Sequence, residues 1–203
     1  MLNLLYLIIG MNYWFNPKIH NLGNKGLLGN VHAVVSPMFT KLIDQKVYAG
    51  INIRENVYSK LNGSVIDLCC GTGYSTKPGN IGIDTSEEMV KFANIFNSNS
   101  VYRVGNAELY GNYKEFDFVT CMFAFHEIPR EGHTSIIKNA KRICKNKIII
   151  VDIAPEYKPS NVMLTGEPYI LEYLKTIKNT FIEHNFTEKK LINNHVSIWT
   201  YKI

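Results

Sequence analysis

Cysteine is scarce in this sequence: Cys69, Cys70, Cys121 and Cys144 are the four among 203 residues. Two are adjacent and none has the paired C-x-x-C spacing of a zinc site, which excludes a zinc framework. Cys69, Cys70 and Cys121 lie in apolar strand-like runs, where a free thiol behaves as a small hydrophobe. All four read as reduced thiols of a cytoplasmic protein, with no metal. Long apolar runs are lacking too. The first nine residues, MLNLLYLII, are too short to span a bilayer, so no membrane span is expected. They carry neither the positive start nor the small-residue cleavage site of a secretory signal. Residues 1–10 therefore read as an extension of the core, or the working start is Met11. Runs of one charge are missing as well. The net charge is +5, and no basic run exceeds the pairs Lys141-Arg142 and Lys189-Lys190. That excludes the electrostatic footprint of a nucleic-acid binder.

What is present is apolar material. Hydrophobic residues make up 46% of the chain, enough for one sizeable core, and the default is a single domain over 1–203. Residues 1–63 read as an N-terminal lid or helical extension. Within it, 12–30 is an irregular segment rich in Asn and Gly with the cluster Tyr13-Trp14-Phe15. Residues 31–48 have apolar positions at helical spacing, with Pro37 placed to start or kink a helix. Asn52-Ile-Arg-Glu55 has the form of a capping box opening a short helix through Leu61, stopped by Asn62-Gly63.

From Ser64 the rhythm changes to short apolar runs alternating with helical patterns, the mark of βαβ units. SVIDLCC (64–70), IGID (81–84), SVYRVGN (100–106), FDFVTCMFAF (116–125) and KIIIVDIA (147–154) read as five strands. Helices are expected from the capping box Thr85-Ser-Glu-Glu88 to Phe96, from Pro129 to Cys144, and along PYILEYLKTIKNTFIEH. Residues 155–166, with Pro155, Pro159 and Gly166, read as a polar loop. FTEKKLI and VSIWTYKI, joined by Asn193-Asn-His195, read as a closing hairpin.

Within that order, VIDLCCGTG, IGIDTSEEM, VGNAELY and FDFVTCMFAFHEIP resemble, from about Ser64 to the C-terminus, the S-adenosylmethionine-dependent methyltransferases with the seven-stranded Rossmann-like fold. The spacings of GNAEL and HEIP…AKRI look most like the small-molecule branch that includes ubiquinone- and menaquinone-type enzymes. The resemblance implies an α/β fold, with a mostly parallel seven-stranded sheet ending in an antiparallel hairpin. It implies S-adenosylmethionine as cofactor, S-adenosylhomocysteine as product, and a small-molecule acceptor methylated by in-line displacement.

It also implies roles for particular residues. Gly71 and Gly73 lack Cβ atoms, so the backbone can turn sharply and approach a ligand, with Thr72 between them. Asp67 suits the ammonium group of the cofactor's amino-acid end. Asp84 ends the second strand, where its two oxygens can accept from both ribose hydroxyls. Thr85 and Met89 would line the adenine edge, and Asn106-Ala107 matches the position that recognises the adenine amine. Met122 and Phe123 close the fourth strand, where cofactor and substrate meet. His126 is the candidate general base or substrate-orienting group, since an unperturbed imidazole suits proton transfer near neutrality. Glu127, Tyr48, Tyr169 and Tyr173 are candidates for the substrate pocket. Each residue alone has a plainer reading: Asp84 as a helix cap, Asn106 as a turn residue, Met89 as core, and His126 bonded to nearby backbone.

Two departures stand out. Cys69 occupies the first small position of the family's Asp-x-Gly-x-Gly-x-Gly, a replacement the quinone-related branch tolerates. More seriously, a parallel crossover normally takes a dozen or more residues, and the nine from Gly71 to Gly79 allow at most one helical turn, so the first crossover helix is expected to be shortened or absent. The bare sheet face must be covered by the helices of 31–61 or, second, by a homodimer partner. Three rivals remain. An NAD-dependent oxidoreductase would want a third glycine where Thr76 stands. A nucleic-acid methyltransferase would want its tetrapeptide where FAFHEIP stands. A binding module would keep the S-adenosylmethionine or nucleotide site without catalysis.

Overall fold

A computed structural model describes residues 23–203. Residues 1–10, Met11 and the Tyr13-Trp14-Phe15 cluster lie outside the described residues. The described chain runs α1 (Gly26–Lys46), α2 (Ile53–Tyr58), β1 (Val65–Leu68), β2 (Ile81–Asp84), α3 (Glu87–Phe96), β3 (Val101–Val104) and β4 (Phe116–Met122). A 3-10 turn (Phe125–Glu127) then leads to α4 (Arg130–Ile143), β5 (Cys144–Ile153), α5 (Asn161–Gly166), α6 (Ile170–Glu183), β6 (Thr187–Ile192) and β7 (Val196–Lys202). The strands form one sheet in the order β3-β2-β1-β4-β5-β7-β6, with β1 to β5 mutually parallel and β7 antiparallel to both neighbours. This is the expected fold class, hairpin included.

Strand alternation sorts the side chains onto two faces. Ile66, Leu68, Ile148 and Ile150 pack with Ile137, Ile143, Tyr173, Ile177 and Phe181 of α4 and α6 in the larger cluster. On the opposite face Val65, Met122, Ile149 and Val151 meet Ile53 and Val57 of α2, together with Leu61. The N-terminal helices therefore cover part of the face left bare by the short crossover. None of residues 69–80 is helical.

Side chains replace that helix. Ser75 Oγ and Thr76 Oγ1 donate to Asp67 Oδ2 at 2.8 and 2.9 Å. Lys77 Nζ donates to Leu61 O, and Val65 N donates to Asn80 Oδ1 at 2.8 Å. The loop lies directly on β2, where a Cβ on Gly82 would stand 2.8 Å from Thr76 Oγ1. The glycine is what permits so close an approach.

Four local expectations need correction. Helix α1 starts at Gly26, inside the segment expected to be irregular, and runs through Pro37. Its first N–H donates to Glu88 Oε1 at 2.5 Å, a carboxylate placed favourably at a helix N-terminus. Helix α2 ends at Tyr58 rather than Leu61, although its cap is as expected, with Glu55 N donating to Asn52 Oδ1 at 3.0 Å. The cap of α3 is Ser86, whose hydroxyl accepts from Met89 N; Thr85 precedes it. The polar loop 155–166 contains α5, capped by Ser160.

Candidate active site

The chain order reverses direction between β1 and β4, and a crevice opens there beyond the carboxyl ends of the parallel strands, where α/β sheets place ligands. The cavity holds about 560 Å³, within the range of small-ligand pockets. Its floor comes from successive strand ends: Cys69–Thr72 after β1, Asp84 at the end of β2 with Thr85 after it, Gly105 after β3, Met122 at the end of β4 with Phe123 and Ala124 after it, and Ile153 at the end of β5. Helices α1 and α2 and the segment around α5 form its walls.

At the glycine-loop end, Gly71 has φ +51° and a Cβ there would meet nothing within 4 Å, so the turn leaves open space over the backbone. Gly71 N donates to Asp84 Oδ2 at 2.8 Å, and Ser86 N donates to Oδ1 at 2.9 Å. Each oxygen keeps a lone pair for a ligand hydroxyl. Burial pushes the Asp84 carboxyl above its usual range, and these backbone N–H groups oppose that. Two side chains that are not glycine take the left-handed conformation at adjacent strand ends, Cys69 and Phe123, both at φ 57°. Such backbone costs about 1–2 kcal/mol per residue and gathers at functional sites.

Among the expected cofactor residues, Cys69, Gly71, Thr72, Asp84, Thr85, Met89, Met122 and Phe123 line this one cavity. Asp67, Gly73, Asn106 and Ala107 do not. Asp67 is fully buried on the sheet face, and Thr120 Oγ1 donates to its Oδ1 at 2.9 Å in addition to the two loop hydroxyls. It holds the crossover loop instead of facing the cavity. Gly73 is needed for packing, since a Cβ there would lie 2.5 Å from the Tyr102 hydroxyl oxygen. Asn106 Oδ1 accepts from Glu108 N at 2.8 Å, a turn bond, and Ala107 is core.

Of the expected substrate residues, Tyr48 and Glu127 line the cavity, and Tyr169 and Tyr173 do not. Tyr173 is fully buried and donates its hydroxyl to Ile153 O at 2.6 Å. Burial, the largest influence, pushes the Tyr48 phenol up to about 12.

Arg54 is a site residue that motif reading missed. Helix α2 carries it into the cavity, 3.5 Å from Asp44, with its guanidinium 4.2 Å over the Phe123 ring. Burial pulls its pKa down and Asp44 opposes that. The one available signal was its place beside the Asn52 cap, which says helix and nothing about chemistry. Glu167, after α5, was missed too, because its segment reads as loop.

At the other end stands His126, buried within the 3-10 turn. Its Nδ1–H donates to Asp152 Oδ1 at 2.6 Å, and Phe125 N donates to Asp152 Oδ2 at 2.7 Å. His133 holds the same turn, its Nε2–H shared between Phe125 O at 2.8 Å and Ile128 O at 2.9 Å. The remaining His126 nitrogen, Nε2, lies 3.7 Å from Glu127 Oε1. Burial alone would lower the His126 pKa. Asp152 by charge and hydrogen bond, then Glu127 and Glu167, outweigh it and lift it to about 9.

Residues 65–147 match a family model described as a methyltransferase domain. A solved S-adenosylmethionine-dependent methyltransferase from Aquifex aeolicus superposes with TM-score 0.58 at 17% identity, covering 82% of this chain and 98% of that one. A Thermotoga maritima S-adenosylmethionine-dependent methyltransferase, described as a possible histamine N-methyltransferase, gives 0.59 at 14% identity, with coverages of 84% and 96%. The PH0226 protein of Pyrococcus horikoshii gives 0.52 at 18%, covering 94% and 97%. At these identities the likeness is one of fold. No curated protein matches. Among the described residues no helix is long and apolar enough to cross a membrane.

Proposed function

We propose, from the premise that this chain carries an S-adenosylmethionine-dependent methyltransferase domain, that it methylates a small-molecule acceptor in the crevice between β1 and β4. The observation that carries the reading is the pairing of two unlike ends in one cavity: Gly71 and Asp84 on one side, His126 and Glu127 on the other. The first end suits a nucleoside. Asp84 offers acceptors for two ribose hydroxyls, Thr85 and Met89 give an adenine edge, and Gly71 lets backbone approach. Arg54, beside the loop that carries Tyr74, supplies a cation for the amino acid's carboxylate. The free thiols of all four cysteines support a cytoplasmic setting.

Bound there, the cofactor supplies an electrophilic methyl group: the acceptor's lone pair forms the new bond while the carbon–sulfur bond breaks and its electron pair stays on sulfur. The protein's part is alignment and exclusion of water, which can supply most of the rate. Met122 and Phe123 give the apolar lining between the two ends. His126, fixed by Asp152 through Nδ1, presents its Nε2 at the acceptor end and orients the acceptor there. The test is turnover: purified protein, S-adenosylmethionine and a panel of hydroxyl, amine and thiol acceptors, with S-adenosylhomocysteine measured. Acceptor-dependent product is expected. Tight cofactor binding without turnover on any acceptor would favour the binding-module reading, and tighter binding of NAD would favour the oxidoreductase.

A further inference from the structure

His126, Glu127 and Glu167 come from two segments far apart in sequence and meet at the acceptor end of the cavity. One donor atom of each lies within 4.8 Å of the others. Two bonds of about 2.1 Å on opposite sides of an ion span about 4.2 Å, so small side-chain rotations bring all three donors onto one cation. The imidazole is already arranged as a metal-binding one is. Its Nδ1–H is held by Asp152 at 2.6 Å, which leaves Nε2 as the nitrogen turned toward the two glutamates. Asp152 is itself fixed by Phe125 N at 2.7 Å and by Ile153 N at 2.7 Å. A carboxylate behind a ligating histidine sets both tautomer and ring orientation. His126 is 6% exposed, and among the described residues its Nε2 makes no hydrogen bond, the Glu127 contact at 3.7 Å being too long for one.

We propose that His126, Glu127 and Glu167 form a binding site for one divalent cation, with Asp152 as the group that positions His126. One nitrogen and two carboxylate oxygens suit Mn2+ or Mg2+, with the remaining positions open. The site faces the methyl acceptor, so on the methyl-transfer reading it takes an acceptor oxygen. An acceptor hydroxyl on the cation loses its proton to water more readily and attacks as an oxyanion. The acceptor class this assigns is one that methylates on oxygen. The expectation of no metal rested on cysteine spacing, and this donor set contains no cysteine.

The experiment is a Mn2+ titration of the whole chain, read as loss of the free-ion electron paramagnetic resonance signal, with and without S-adenosylhomocysteine. The wild type should bind about one Mn2+ per chain, and Mg2+ should displace it. E127Q and E167Q should each weaken binding about tenfold or more, and D152N about 10–100-fold. Glu167 follows the short helix α5 and is not part of the core, so E167Q keeps the test valid if D152N fails to fold. S-adenosylhomocysteine affinity should be unchanged in E167Q. Mn2+ bound equally by wild type and E167Q, or not bound by the folded wild type, would overturn the proposal. Mn2+ binding without any S-adenosylhomocysteine binding would support the cation site and sink the methyl-transfer reading alone.

Discussion

Ser75 donates its hydroxyl to Asp67 at 2.8 Å, tying the loop after β1 down to the strand it has just left. Thr76 and Thr120 complete the set, so a short, irregular crossover is held without a helix. The carboxyl at the centre is costly to ionise. Burial pushes the Asp67 pKa up to about 6, against the pull of these hydroxyls and of Arg54. A carboxyl with a raised folded pKa binds protons that the unfolded chain has released. Its contribution therefore favours folding most below about 3.8 and is lost as pH rises toward 6. The gap corresponds to about 3 kcal/mol. Asp67→Asn should flatten the stability profile between pH 4 and 6, measured by urea unfolding; a slope equal to wild type would rule this out.

Cys69 holds a left-handed conformation where a glycine would be unstrained. Cys69→Gly should raise stability by about 1 kcal/mol, and the β-branched Cys69→Val should lower it. Chemical denaturation of the two variants measures both signs. Destabilisation by Gly as large as that by Val would mean that thiol packing, not backbone strain, dominates at this strand end.

Arg54 reaches the cavity with Asp44 and Phe123 around it. If it holds the cofactor's carboxylate, Arg54→Met should weaken S-adenosylhomocysteine binding by about 1.5–3 kcal/mol, the range for a hydrogen bond to a charged group. Decarboxylated S-adenosylmethionine should bind wild type and variant alike. Equal weakening for both ligands would place Arg54 in packing instead.

The sequence made the sheet and half of the cavity legible for one reason. Strand ends lie in register with a hydrophobic run, so periodicity locates the strand ends, and the family resemblance then picks out Gly71, Asp84 and Met122 at them. Asp67 and Asn106 lie off the cavity lining, and a buried Asp or a turn Asn looks the same in sequence whether it bonds a ligand or its own chain. Tyr173 lies outside the cavity lining, since an aromatic near a loop can lie under a site as well as in it, and its hydroxyl donates to Ile153 O. Arg54 and Glu167 were out of reach. Their positions depend on how α2 and the end of α5 pack over the sheet, which no local pattern encodes.

The central claim is that Asp84 and the glycine loop hold the nucleoside of S-adenosylmethionine. The direct measurement is calorimetric titration of S-adenosylhomocysteine into wild type and Asp84→Ala. Binding at one site per chain is expected, weakened in the variant by about 1–3 kcal/mol, the cost of a lost hydrogen-bonding partner. No binding to the wild type, or equal affinity in the two proteins, would contradict it.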